Sequence, residues 1–226
     1  MISDAIHVKC LLAHYIPCMD LQKPQRKQQM GPLPLPKSTP KIVFFDVETN
    51  VPTRAGHRFS VLEFGAIVVC PRKLEELHSY STLIRPKDTS FLTFGKSGGI
   101  TEEAVANAPP FEEVSDDVYN IMHGRIWAGH NIQRFDCVRI KEAFAEIGKP
   151  PPTPIGIIDS LDLLTKKFGR RAGNMKMATL AAYFNLGKQK HRGLDDARMN
   201  LEVLKHCATV LFLVIMCRWI DVDIRL

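Results

Sequence analysis

Two acidic residues near the start of the folded part of the sequence could bind a divalent cation. Asp46 and Glu48 lie in the segment FFDVET, directly after the apolar residues 42–45, which predict a buried strand. Residues two apart on a strand point to the same face, so both carboxylates can reach one cation. An acid abutting four apolar residues is costly without a role, although such a pair alone is most often a surface feature.

Two further segments contain histidine and aspartate at the starts of predicted helices. The segment HNIQRFD contains His130 and Asp136, and the segment HRGLDD contains His191 and Asp196. A carboxylate at a helix start is stabilised by unpaired N–H groups, so each segment alone is also typical of an ordinary helix start. Carboxylates suit hard cations, and histidine suits proton transfer near neutral pH. The three groups carry much more information together than any one of them does alone.

An α/β fold must position these residues. The apolar patterns predict strands at 42–45, 61–70, 80–85, 125–130 and 155–158. They predict helices at 111–123, 137–147, from 159 onwards, 177–184 and 194–212. This order, three strands and then alternating helices and strands, predicts a mixed five-stranded sheet with helices on both faces. Sites in such sheets form at the carboxyl ends of central strands, where the first two acidic groups fall.

The composition is that of a folded protein in a reducing compartment. The chain has 226 residues, 45% of them hydrophobic, and a net charge of +6, which excludes a wholly disordered or collagen-like chain. The six cysteines form no CxxC pair and are expected to be free thiols. The sequence contains no apolar run near the ~20 residues that span a membrane, and no signal peptide. We therefore expect an intracellular protein, cytoplasmic or nuclear, that is neither secreted nor bound to a membrane.

The chain divides into three predicted regions. Residues 1–40 hold six of the fifteen prolines and are predicted to be a disordered extension, residues 41–212 form the domain, and residues 213–226 are an apolar tail. The positive charge is clustered, because no acidic residue lies between Asp162 and Asp195. That basic stretch, which includes Arg170 and Arg171, indicates either contact with a nucleic-acid backbone or a solvated face.

Taken together, the motifs resemble those of the DEDDh family of 3′–5′ exonucleases, which has a ribonuclease H-like fold. The resemblance rests on DxE, HNxxxFD and HxxxxD in this order, and on the segment GIT at 99–101. It covers roughly residues 41–212. Longer stretches, such as LEFGAIVVCPRKL and RRAGNMKMATLAAYF, resemble the plant exonuclease-domain proteins of the NEN group. The chain departs from the commoner family pattern at Asn50-Val51, and it has one extra residue between Asn131 and Phe135.

The resemblance implies a two-metal mechanism with Mg²⁺, for which Mn²⁺ can substitute. The implied metal ligands are four acids: Asp46, Glu48, Asp136 and Asp196. His191 would be the general base on the attacking water. The implied substrate is a DNA or RNA 3′ end, shortened by release of nucleoside monophosphates. The candidate substrate-binding residues, from the resemblance and from the basic stretch, are Thr49, Asn131, Arg170 and Arg171.

Two alternatives from other functional classes stay open at this point. One is a non-catalytic nucleic-acid-binding module on a nuclease fold. The other is an adaptor subunit that binds a protein through its proline-rich extension or its apolar tail. The presence of all five catalytic positions favours an active enzyme, because an inactive relative would be expected to lose at least one of them. The sequence identifies no protein partner.

Overall fold

The structure is a computed structural model that describes residues 40–52, 56, 58–87 and 99–223, with side chains up to residue 213. The predictions for residues 1–39 therefore lie outside the described residues. The last helix, predicted to end at 212, continues through residues 213–223 of the predicted tail. Five strands form one sheet: β1 (Ile42–Thr49), β2 (Val61–Val69), β3 (Glu76–Leu83), β4 (Ile126–Gly129) and β5 (Gly156–Asp159). Their order in the sheet is β3-β2-β1-β4-β5.

The sheet is mixed, as the sequence predicts. β1, β2 and β3 form an antiparallel meander, whereas β4 and β5 run parallel to β1. The described residues form these helices: α1 (Glu102–Ala106), α2 (Phe111–Met122), α3 (Asp136–Glu146), α4 (Ser160–Lys167), α5 (Met177–Tyr183) and α6 (Gly193–Asp223). The sequence analysis missed α1, a short helix that Thr101 caps by accepting the Ala104 N–H. The prediction of an α/β fold with a mixed five-stranded sheet is confirmed.

Two strand boundaries were predicted wrongly. β1 does not end at Asp46 but continues to Thr49, because its ladder with β2 continues through the polar residues to the pair Glu48 and Glu63. β3 begins at Glu76 and ends at Leu83 instead of spanning 80–85. β3 is an edge strand with exposed side chains, so apolar periodicity is a weak guide to its start.

Each face of the sheet carries its own apolar core. Successive side chains of β1 point alternately to one core and to the other. Ile42 and Phe44 face a core shared with α4, α5 and α6. Val43 and Phe45 face the opposite core, shared with α2 and α3. Because Asp46 and Glu48 continue the first alternation, they lie on the face that α6 covers.

The start of α6 packs against the sheet at backbone distance. A Cβ atom built on Gly65 of β2 would lie 2.0 Å from the backbone nitrogen of Leu194, and one built on Gly193 would lie 2.8 Å from the Asp46 carbonyl oxygen. This close approach requires glycine at both positions, because a side chain at either one would overlap the backbone opposite. The contact places the first turn of α6 directly beside the acidic residues of β1.

The described residues bear on two expectations from the sequence, the absence of a membrane-spanning helix and the free cysteines. None of their helices is long and apolar enough to cross a membrane. Cys70, Cys137 and Cys207 are free thiols, the last two buried in the apolar cores.

We expect Gly65→Ala to destabilise the protein by about 1–3 kcal/mol or more, since its methyl group would overlap the backbone of α6. Gly156→Ala is the matched control, because its Cβ would meet only the Ile126 side chain at 4.0 Å. That control should change stability by less than about 1 kcal/mol. Urea denaturation measures both changes. Equal stabilities of the two variants would contradict the close approach.

Candidate active site

A cavity of about 200 Å³ opens where β1 and β4 end at their carboxyl sides. Its walls come from β1, from the loop between β4 and α3, and from the segment that leads into α6. The residues that line it are Asp46, Val47, Glu48, His130, Asn131, Phe135, Asp136, Gln189, His191 and Asp196. The structure thus places all four predicted acidic residues and the predicted histidine around one space.

The first two motifs are joined by a hydrogen bond across the sheet edge. Asp136, the first residue of α3, is buried, and its Oδ1 accepts the Val47 N–H of β1 at 3.0 Å. Val47 lies between Asp46 and Glu48, so this contact ties the start of the helix to the strand that carries the other two acids. The helix start also favours the charge on Asp136.

The third motif brings a histidine and a buried aspartate to the same space. One ligand atom from each of Glu48, His191 and Asp196 lies within 4.8 Å of the others. Gln189 donates to Asp196 Oδ2 at 2.6 Å, whereas Asp196 Oδ1 is buried and has no hydrogen-bond partner within the described structure. His191 itself is exposed and has a φ of +55°, a left-handed conformation that is uncommon outside glycine.

The four carboxylates repel one another, and burial strengthens that repulsion. Burial and the nearby charges of Asp136, Glu48 and Asp196 raise the pKa of Asp46 well above its ordinary value. Burial, together with the charge of Asp196, raises the pKa of Glu48 to about 7. Burial also raises the pKa of Asp136 to about 7, although the Val47 N–H opposes that shift. Burial likewise raises the pKa of Asp196, although the Gln189 side chain opposes that shift.

These observations fit a divalent cation. A cation at the centre of the cavity would offset the repulsion and would give the unpartnered Asp196 Oδ1 a ligand to bind. The donors are carboxylate oxygens, which suit Mg²⁺ or Mn²⁺ better than thiolate-seeking metals. The cavity is thus a candidate metal site formed by Asp46, Glu48, Asp136 and Asp196, with His191 beside them.

Behind the cavity, a buried aspartate that the sequence analysis read only as a helix start holds one wall. Asp159 accepts the N–H groups of Asn131 at 2.9 Å and Gln133 at 3.1 Å, and it also caps α4 through the Leu161 N–H. This carboxylate fixes Asn131 in a left-handed conformation, with a φ of +64°. The position of Asp159 at the end of β5, parallel to β4, was the available signal.

His130 connects this wall to the loop after α4. Its Nε2 lies 2.8 Å from the Met175 carbonyl oxygen, so Nε2 carries the proton and donates. Its Nδ1 then accepts from Ser160 Oγ at 2.9 Å, and Asn200 donates to the same hydroxyl at 2.7 Å. Burial lowers the pKa of His130, which favours this neutral form. His130 is therefore a satisfied structural histidine beside the cavity.

The candidate substrate-binding residues are distributed unevenly. Asn131 lines the cavity, whereas Thr49, the last residue of β1, is not among the lining residues. Arg170 and Arg171 are exposed in the turn after α4, outside the cavity wall, and Arg171 donates to the Phe168 carbonyl of its own turn. Exposed basic residues that directly neighbour lining residues in sequence are instead Arg134, Lys188 and Lys190.

The departure at Asn50 has a structural role. Asn50 is buried, and its Oδ1 accepts the Ser60 N–H at 2.6 Å while its Nδ2 donates to the Arg58 carbonyl at 3.3 Å. These two bonds close the base of the loop between β1 and β2.

Fold and site together define an α/β protein with a carboxylate-lined cavity at the carboxyl ends of the central strands. The sequence model of the exonuclease family (RNase_T) matches residues 43–204, more than half of the chain. The chain is also 70% identical to Protein NEN4 of Arabidopsis thaliana over 175 residues, which are 76% of this chain and 69% of NEN4. The chain therefore belongs to the exonuclease family of nucleases and, within it, to the NEN group.

Other NEN proteins of the same plant are longer than the matched region. Protein NEN3 is 65% identical over 76% of this chain, and Protein NEN1 is 64% identical over 79% of it. The chain spans 35% of NEN3 and 38% of NEN1.

Solved structures with low sequence identity share the fold. E. coli Exonuclease I, bound to a dT13 oligonucleotide, has a TM-score of 0.62 at 16% identity and covers 74% of this chain and 40% of its own. The nuclease domain of 3′hExo, a DEDDh family member bound to rAMP, has a TM-score of 0.53 at 15% identity, with 74% and 90% covered. These similarities confirm the ribonuclease H-like exonuclease fold that the sequence predicts.

We expect Glu48→Gln to stabilise the metal-free protein at pH 8. A folded-state pKa of about 7 means that the folded protein binds this proton more tightly than the unfolded chain, so the Glu48 carboxyl lowers stability as pH rises from about 4.5 to 7. The amide cannot ionise and escapes this loss. Urea denaturation in a chelator should show the variant more stable at pH 8, with the difference closing toward pH 4.5. A stability difference that does not change with pH would contradict the raised pKa of Glu48.

Proposed function

We propose that this protein is a metal-dependent 3′–5′ exonuclease that hydrolyses phosphodiester bonds of DNA or RNA and releases nucleoside monophosphates. The observation that carries the proposal is the convergence of Asp46, Glu48, Asp136, Asp196 and His191 on one cavity. Family membership and the structural similarity to 3′-exonucleases support the same chemistry.

The four acids would hold divalent cations, Mg²⁺ first and Mn²⁺ as a substitute. When bound, two such ions neutralise the scissile phosphate and stabilise the leaving oxygen. Asp46 feels the charges of Glu48, Asp136 and Asp196, and would hold cations together with them. Glu48 and Asp196 lie together with His191 on one side, and Asp136 lies beside Val47.

His191 would remove a proton from the attacking water. The imidazole is exposed, so it can exchange that proton with solvent, and one of its ring nitrogens lies within 4.8 Å of the Glu48 and Asp196 oxygens. A neutral imidazole nitrogen can accept a proton from a water molecule, which is the step that a general base supplies.

The substrate strand would reach the cavity past exposed basic residues. Asn131 and Thr49 are proposed to contact the terminal nucleotide, since Asn131 lines the cavity and Thr49 directly follows the lining residue Glu48. Arg170 and Arg171 are proposed to hold phosphates further along the strand. The loop that carries them is fixed to the cavity wall through the hydrogen bond between Met175 and His130.

An active enzyme fits these observations better than a non-catalytic binding module. A module that only binds nucleic acid needs positive charge, whereas this cavity concentrates four carboxylates that would repel a phosphate without cations. Such a costly arrangement is typical of catalytic sites. The adaptor hypothesis has no supporting contact among the described residues.

The decisive experiment compares Asp196→Asn with Asp195→Asn in the full chain. Asp196 is buried at the cavity, whereas its neighbour Asp195 is paired with Lys190 at 3.1 Å outside the cavity lining. With 5′-labelled single-stranded DNA and RNA and Mg²⁺, the wild type and Asp195→Asn should shorten the substrate from its 3′ end. Asp196→Asn should lose this activity by at least about 10²-fold, because it lacks an ionised metal ligand.

Chelation should abolish shortening by the wild type, and Mg²⁺ should restore it. An intact substrate in the presence of well-folded wild-type protein and Mg²⁺ would overturn the proposed function. Full activity of Asp196→Asn would overturn the assignment of the metal ligand instead.

The two arginines are tested by the salt dependence of binding. We expect Arg170→Gln/Arg171→Gln to weaken binding of single-stranded nucleic acid and to reduce the steepness of log K against log salt by about 1.4, since each of the two lost phosphate contacts accounts for about 0.7. Arg72→Gln/Lys73→Gln removes the same charge from the exposed turn after β2, at the opposite end of the sheet, and should leave the slope unchanged. Fluorescence anisotropy at several salt concentrations measures this, and equal slopes for both double variants would leave Arg170 and Arg171 as solvated residues.

A further inference from the structure

Glu63 is a buried carboxylate inside an apolar strand. It lies in β2, where its neighbours are buried apolar residues, and only 1% of it is exposed. It pairs with Glu48 across the ladder, so it lies on the sheet face that carries the catalytic acids. Burying a further carboxylate beside four others costs free energy, and such a residue therefore needs strong partners.

The partners of Glu63 all come from the segment that follows His191, apart from one serine. Arg192 donates from Nε to Oε2 at 2.9 Å and from its terminal nitrogen to Oε1 at 2.8 Å, which is a bidentate pair. The Gly193 N–H donates to Oε2 at 3.2 Å. Ser81 of β3 completes the set with a bond of 3.3 Å to Oε1.

These bonds fix the two residues that directly follow His191. His191 adopts a left-handed conformation, which is unfavourable for a residue with a side chain and persists only when its surroundings enforce it. Arg192 and Gly193 follow it directly and are both bound to the same carboxylate. Gly193 is also fixed from the other side, since the backbone of Asp46 and Gly65 leaves no room for a side chain.

We infer that Glu63 is a positioning residue, which acts through Arg192 and Gly193 to fix the imidazole of His191 beside Glu48 and Asp196. The inference rests on the proposed role of His191 as the general base. It goes further by assigning the orientation of that base to an ion pair between β2 and the start of α6.

A second ion pair of the same chemistry provides a matched control. Arg198, also on α6, donates to both oxygens of Glu76 in β3, at 2.9 and 2.8 Å. This pair also ties α6 to the sheet, but it lies away from the cavity, and its side chains are 44% and 32% exposed. Loss of a general tie between helix and sheet should therefore be reproduced by Glu76→Gln, whereas loss of positioning should not.

The activity test compares Glu63→Gln, Glu76→Gln and His191→Ala in the full chain. Glu63→Gln keeps the shape and one acceptor oxygen, and should lower kcat by at least about 10-fold with KM unchanged. This loss is bounded by the ~10²–10⁴-fold loss expected for His191→Ala. In the His191→Ala background, Glu63→Gln should have no further effect, because a residue that acts through His191 cannot matter once His191 is absent. Glu76→Gln should retain wild-type kcat.

A readout independent of activity uses the imidazole itself. In metal-free protein, the ring carbon–proton NMR signal of His191, assigned by its loss in His191→Ala, should shift or broaden in Glu63→Gln and stay unchanged in Glu76→Gln. Arg192→Lys keeps the positive charge but cannot form the bidentate pair with Glu63, and it should resemble Glu63→Gln in both measurements.

If the fold-losses in kcat of Glu63→Gln and His191→Ala multiply in the double variant, the inference is overturned. An unchanged His191 signal in folded Glu63→Gln would also overturn it. An inactive wild type whose His191 signal responds as expected would instead overturn the proposed function and leave the positioning role intact.

Discussion

Electrostatic repulsion among four carboxylates is the constraint on which this structure depends. Asp46, Glu48, Asp136 and Asp196 share one small cavity, and burial there raises the pKa of each of them. Such a cluster opposes folding, so the surrounding scaffold must hold it together. The parallel pairing of β1 with β4, the bond from Val47 to Asp136 and the close approach of Gly65 to α6 provide that scaffold. A bound cation would convert the same repulsion into affinity.

The sequence predicts the parts of this arrangement that depend on local patterns. The order of strands and helices along the chain follows from the apolar periodicities. Asp46 and Glu48 are recognisable because an acid beside a buried strand has few structural explanations. The end of β1 could not be read in this way. Its polar residues continue the ladder with β2, and a ladder depends on the partner strand instead of on local hydrophobicity.

The missed residues are those whose partners lie far along the chain. Glu63 binds Arg192 and Gly193, which lie 129 and 130 residues away, and Asp159 binds Asn131, 28 residues away. Within the sequence, Glu63 is only a charged residue in an apolar strand, and Asp159 is only a helix start. Their roles emerge when the fold brings the partners together, so no local pattern specifies them.

The carboxylates around the site therefore form two groups with different needs. The four in the cavity retain oxygens that a cation can bind, as the unpartnered Oδ1 of Asp196 illustrates. Asp159 and Glu63 lie behind the cavity, and N–H donors from the segments at Asn131 and His191 occupy their oxygens. Both segments contain a residue in the left-handed conformation, so each buried carboxylate offsets local backbone strain at the cavity wall. An amide in place of a cavity carboxylate removes charge from the cation site, whereas an amide behind the cavity removes half of the acceptors that hold the wall.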